Sequence, residues 1–180
     1  MRLSTSADSL LDMLEIRALS VDEMSTARYV VANSFAKGAS GHYSQPQIDA
    51  FIAFVRSPQY GDLLIGNRAY GAFIDGEMVG VGAWSITEMK SPTARLLAVF
   101  VLPLFSGNGI GTRLAEYLEE EARATGYRAQ ETSALLGARG FFEHLGYHET
   151  GEAIWSLPSG RAIPVAMMRK AGDGRADVMH

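Results

Sequence analysis

The sequence predicts an α/β domain, on three observations. The apolar run Leu96 to Leu102 empties into a glycine-rich turn that opens an amphipathic helix. An Asp75-Gly76 pair separates two short apolar segments, a strong two-residue hairpin signal. Two serines, Ser20 and Ser44, are each followed three residues on by Glu23 or Gln47, the spacing of a capping box. The chain has 180 residues with 47% apolar, which is one domain of ordinary size.

The elements follow in order. Residues 1–12 hold one Arg, no long apolar stretch and no cleavage signature, and read as a flexible extension. Met13 to Arg17 is a first strand. The Ser20 box starts a helix with Met24, Ala27, Val31 and Phe35 on one face, and Ala36 to Tyr43 reads as a loop. From Ser44 a second helix presents Ile48, Phe51, Ile52 and Val55 until Pro58 stops it. The hairpin strands are Tyr70 to Ile74 and Met78 to Trp84. The next strand is apolar throughout and closed by Pro103, which suits burial on both faces. Beyond it Ile110, Leu114, Tyr117, Leu118 and Ala122 recur at helical spacing, with Arg113, Glu116, Glu119, Glu120 and Arg123 opposite, as far as Gly126. A strand at Arg128 to Ala134, a short helix at Ala138 to Leu145 and strands at Tyr147 to Trp155 and Ala162 to Arg169 complete a domain over 13–170. Residues 171–180 read as a disordered tail.

A net charge of −4 argues against general affinity for nucleic acid or an anionic membrane. With no cysteine there is no disulfide framework, thiolate metal site or nucleophilic thiol. No apolar run is long enough to span a bilayer, and a cytoplasmic location is the expectation.

The glycine turn is where chemistry is legible. Glycines let backbone amides approach an anion, and the free N–H groups of the helix start add the positive end of its dipole, so the turn suits a diphosphate. A dinucleotide fingerprint would need glycine where Thr112 stands, and a triphosphate loop would need a lysine that the turn lacks. The remaining pattern, Ser106-Gly107-Asn108-Gly109-Ile110-Gly111, resembles the coenzyme A loop of the GNAT superfamily of N-acetyltransferases. The stretch Ser133 to Tyr147, with Phe141-Phe142 and a closing Gly146-Tyr147, is similar to that family's second landmark. The resemblance runs from about Leu14 to Lys170.

The resemblance implies a mixed, mostly antiparallel sheet splayed at its centre with helices on both faces. It implies acetyl transfer from acetyl-CoA to a primary amine by direct attack on the thioester, with a small molecule as the expected acceptor, no metal, and a homodimer as one arrangement. Ser106, Gly107, Asn108, Gly109, Ile110, Gly111 and Thr112 would hold the diphosphate, with Arg139 either reaching the phosphates or lying free on the surface. Main-chain N–H groups around Phe100 and Val101 would face the developing oxyanion. Three positions depart from the family pattern: Ser106 replaces a usual Arg or Gln, Gly137 a usual Asn, and Phe142 the Tyr that protonates the leaving thiolate. The Ser106 and Phe142 departures motivate an alternative, a catalytically weak coenzyme A binder acting as a sensor or partner module.

Proton transfer needs side chains. Glu131 faces the centre as a base or is a plain strand carboxylate, and Ser133 alternates to the same face as a relay or a strand-end residue. Tyr43 is a substrate wall or a staple before the Ser44 cap. His42 and Glu88 complete the candidates. Gly80 and Gly82 allow close packing near the cofactor arm or mark a bulge, and Trp84 lines the cleft or packs in the core. His144 and His148 have no metal-ligand spacing.

Overall fold

The computed structural model describes residues 5–87 and 92–172; Glu88 and most of the expected tail lie outside the described residues. Seven strands form one sheet in the order β1-β2-β3-β4-β5-β7-β6. They are β1 (Glu15–Ala18), β2 (Arg68–Ile74), β3 (Glu77–Ile86), β4 (Thr93–Val101), β5 (Ala129–Leu135), β6 (His148–Ser156) and β7 (Ala162–Lys170). Every neighbouring pair is antiparallel except β4 and β5, which run parallel. One face carries α2 (Met24–Gly38), α3 (Gln45–Arg56) and α4 (Pro58–Ile65), packed through Phe35, Phe51 and Leu64 onto Val81, Ala98 and Ile163. The other carries α5 (Ile110–Ala124) and α6 (Arg139–His144), with Leu118 and Phe142 set against Leu96, Ala134 and Met168.

Local signals form as the residues dictate. Asp75 and Gly76 both take left-handed φ values, 49° and 79°, the pair that a tight hairpin with twisted strands requires. Ser44 accepts from the Gln47 N–H at 3.3 Å while its own N–H donates to Gln47 Oε1 at 2.9 Å, which starts α3. Gly82 lets α5 sit close, since a Cβ there would stand 3.0 Å from Leu114 and Leu118.

Four expectations need correction. Residues 5–12, expected as part of a flexible extension, form helix α1 (Thr5–Asp12), whose Leu10 and Leu11 pack against the cluster of Val79, Ile110 and Leu114. Pro58 does more than end a helix: α3 stops at Ser57, and Pro58 opens α4 at a position where its missing N–H costs nothing. The segment read as a loop from Ala36 is helical through Gly38. Glu119, placed on the solvent face by spacing, is buried and paired with Lys170 of β7 at 2.8 Å.

The centre of the sheet splits. In the β3–β4 ladder Ala83 faces Ala98 and Trp84 faces Leu96, so Leu97 is an extra residue, a β-bulge that bends β4. Pairing of β4 with β5 runs only from Thr93↔Ala129 to Leu96↔Thr132. Beyond that point β4 stays with β3 and β5 with β7, so a gap opens between them. The second half of β4 is therefore half-buried, not covered on both sides as its composition suggests.

Candidate active site

Within a strand the N–H and C=O of one residue point the same way, and successive residues alternate. Leu102 donates its N–H to the Val79 carbonyl at 2.8 Å, and the Phe100 carbonyl lies against Gly80, where a Cβ would approach it to 3.1 Å. Phe100 and Leu102 thus turn their polar groups toward β3. Val99 and Val101 turn theirs into the gap. Phe100, expected to face the developing oxyanion, is corrected: its N–H belongs to the ladder, and the gap-facing residues are Val99 and Val101.

The gap continues into a cavity of about 360 Å³ that passes through the sheet. Ala138 and Phe142 line it on the α6 side; Phe51, Tyr60, Leu63 and Trp155 line it on the α3–α4 side. Phe142 offers no hydroxyl. Thr132 donates its own to the Leu96 carbonyl at 3.0 Å. The Tyr60 hydroxyl has no hydrogen-bond partner among the described residues, and burial raises its pKa.

The glycine turn stands at the end of β4. Gly109 caps α5 with φ 83°, a left-handed conformation that glycine adopts without strain. The N–H groups of Ile110, Gly111 and Thr112, in the first turn, have no acceptor within the helix. Ser106 donates both its N–H, at 3.2 Å, and its hydroxyl, at 2.7 Å, to the Pro103 carbonyl. Ser106 therefore shapes the turn and has no proton left for an anion, a correction to its expected role. Asn108 folds its amide back onto the carbonyls of Phe105 and Ser106, at 3.3 and 3.4 Å, which leaves its main chain outward. Phe141 walls one side, 3.3 Å from where a Cβ of Gly111 would lie.

The other predicted side chains divide. Glu131 lies beside the point of divergence but is held by Arg95, whose Nε and Nη2 donate to Oε1 at 3.1 and 2.8 Å. Ser133 lines the cavity, exposed, with its hydroxyl on Met167 Sδ at 3.4 Å. Tyr43 is committed elsewhere. Its hydroxyl donates to the Pro164 carbonyl at 2.8 Å and accepts from the Leu136 N–H at 2.9 Å, and burial raises its pKa. Its ring ties the α2–α3 connection to β5 and β7, a strut and not a substrate wall. His42 packs its ring on Gly137, where a Cβ would meet it at 3.2 Å. The Gly38 carbonyl lies at 3.1 Å from the same point, so a side chain at 137 would be crowded from both. Arg139 pairs loosely with Glu149 of β6 at 3.9 Å. Trp84 is fully buried and lies outside the cavity wall. Sequence reasoning missed Arg95, Tyr60, Trp155 and the Leu97 bulge; α4 and the bulge leave no period in the sequence. No group of His, Asp and Glu among the described residues could hold a metal.

Comparison with known proteins agrees with this geometry. Residues 30–147 match the acetyltransferase (GNAT) family. No curated protein matches the chain. Among solved structures it is similar to a GCN5-related N-acetyltransferase from Rhodopseudomonas palustris, at 22% identity over 87% of this chain and 94% of that one, with a TM-score of 0.78. It is also similar to the PaiA N-acetyltransferase from Thermoplasma acidophilum in complex with coenzyme A, at 21% identity over 88% and 98%, TM-score 0.68. A third likeness is to the ribosomal-protein-S18-alanine N-acetyltransferase from Escherichia coli, at 16% identity over 93% and 99%, TM-score 0.62. At these identities the likeness is one of fold.

Proposed function

The chain belongs to the acetyltransferase (GNAT) family, matched over residues 30–147, and from that premise we propose that it transfers an acetyl group from acetyl-CoA to a primary amine on a small molecule. The observation that carries the reading is the gap between β4 and β5, lined by unpaired main-chain groups and ending at the Gly109 helix start. These residues fit a coenzyme A thioester. A side chain on Gly111 would crowd Phe141, and the α5 N-terminus offers donors to a diphosphate. When bound, acetyl-CoA supplies an activated acetyl carbon on a sulfur leaving group.

The chain's own residues do the rest. Gly107, Asn108 and Gly109 present main-chain N–H groups, joined by the first turn of α5, and α5 adds its dipole. Val99 and Val101 direct N–H groups into the gap, where charge develops on the thioester oxygen. An acceptor amine held in the gap would form the N–C bond as the C–S bond breaks, its nitrogen giving up one proton and the leaving sulfur taking one up. Among the lining hydroxyls, those of Thr132 and Ser133 already donate to the Leu96 carbonyl and Met167 Sδ, which leaves that of Tyr60 as the proton donor. Apolar walls exclude water, which protects the thioester from hydrolysis.

The test is calorimetric titration with acetyl-CoA, coenzyme A and NAD in parallel, followed by thiol release with an amine panel. Micromolar binding of the coenzyme A pair alone and amine-dependent thiol release are expected. Binding of none of the three would remove this reading. Phe142 at the usual tyrosine position favours a second reading, a coenzyme A-binding module with weak catalysis; it predicts the same binding with no thiol release for any amine.

A further inference from the structure

We propose that the amine acceptor is a zwitterion, an α-amino acid with an apolar or aromatic side chain, held at the head of the gap by Arg95 and Glu131; this rests on the acetyl-transfer reading above. Arg95 of β4 and Glu131 of β5 are direct neighbours in register, and pairing of their strands ends one residue further on, at Leu96↔Thr132. Ala94, Leu96, Thr132 and Ala134 are buried while Arg95, Glu131 and Ser133 are more open, so these three point to the opposite face, where α3 and α4 lie.

The ion pair is made through one oxygen. Nε and Nη2 of Arg95 both donate to Glu131 Oε1, while Nη1 and Oε2 have no hydrogen-bond partner among the described residues. The Arg95 side chain is 41% exposed and that of Glu131 is 21% exposed. One cationic donor and one anionic acceptor thus stand side by side and unfilled, which matches an ammonium and a carboxylate attached to the same carbon.

The surroundings favour the same chemistry. Arg169 of β7 lies opposite Glu131, and His148 of β6 lies opposite Arg169, so one row across the sheet holds two guanidinium groups to one carboxylate. A simple alkylamine would add a cation to that row and satisfy nothing on Arg95. An amine bearing its own carboxylate balances it. The remaining wall is apolar: Phe51, Leu97 and Trp155 line the cavity with Leu63, which is 36% exposed, an apolar surface suited to the acceptor's side chain. Glu131 then accepts the proton that the ammonium must lose before its nitrogen forms the N–C bond; as the C–S bond breaks, the nitrogen gives up a second proton and the leaving sulfur takes one up.

The experiment uses the full chain, after calorimetry has shown that acetyl-CoA binds. Thiol release is followed with leucine and phenylalanine, with their amides, with the corresponding carboxylate-free amines, and with a leucine-initiated peptide amide. The amino acids are expected to exceed each carboxylate-free partner at least 10-fold in kcat/KM. Calorimetry with leucine is expected to show direct binding to the unaltered protein. Arg95→Gln should lower kcat/KM for leucine by about 10- to 100-fold, chiefly through KM, with a much smaller effect on leucinamide and with acetyl-CoA affinity retained. Arg95→Lys should recover part of the loss, and the substrate series on the unaltered protein does not depend on either variant folding. An amide, amine or peptide amide used as well as the acid would overturn the proposal and leave acetyl transfer standing. So would bound acetyl-CoA with no turnover of any amino acid. No binding of acetyl-CoA would remove acetyl transfer, and the proposal with it.

Discussion

At the scale of single residues, Gly109 carries the strictest backbone demand in the site, because its φ of 83° starts α5 and aims the first free N–H groups. Gly109→Ala is expected to cost about 1–2 kcal/mol of stability, from forcing a Cβ into the left-handed region, and to weaken coenzyme A binding at least 10-fold. Thermal unfolding and calorimetry check both. Tyr60→Phe should lower kcat by about 10²- to 10⁴-fold with little change in stability, since the hydroxyl has no protein partner to abandon; an unchanged kcat would leave the ring as packing. Tyr43→Phe should do the reverse. It strands the Pro164 carbonyl and the Leu136 N–H and costs about 1–3 kcal/mol in denaturant titration, with the pH–rate profile unmoved. The glycine turn was legible because binding an anion by main chain demands small residues at fixed spacing. Tyr43 was not, since its partners lie 93 and 121 residues away in sequence.

At the scale of elements, caps announced helices and Pro58 concealed one. The Ser20 and Ser44 boxes both form. Proline signals a stop and a start alike, and the eight residues of α4 are too few to show a helical period, so the element that brings Tyr60 and Leu63 to the cavity was silent. The Leu97 bulge was equally silent, because an extra residue in an all-apolar strand leaves no trace in its pattern. At the entrance to α2, Arg17 donates two hydrogen bonds at 2.9 Å to Glu23 and lowers its carboxyl to about 2. A depressed carboxyl pKa means that the charged pair stabilises the folded chain above the ordinary carboxylate range and ceases to do so as pH falls to about 2. Glu23→Gln keeps the capping geometry and removes the charge. Its Tm should lie below that of the parent at pH 7, and the two should converge toward pH 2; a constant difference would assign the loss to the cap.

At the scale of the whole molecule, the sheet is two half-sheets, β1 to β4 and β5 to β7, joined by the four register pairs from Thr93↔Ala129 to Leu96↔Thr132. The helix pattern and the hairpin were enough to read an α/β domain, and the resemblance supplied the splayed centre. What the sequence could not carry was which main-chain groups face the gap, since that follows from the register set by the bulge. The parting of β4 from β5 makes the short shared ladder a hinge. A ligand that bonds to Val99 and Val101 while touching β5 would act as an eighth strand and brace the two halves. Hydrogen–deuterium exchange should therefore report slowing at Val99 and Val101 when coenzyme A binds, spreading to β5 amides that the ligand does not touch. Slowing confined to the glycine turn would mean that the halves move independently of the ligand. The chain thus holds an interrupted sheet whose continuity a ligand lying along the gap would complete.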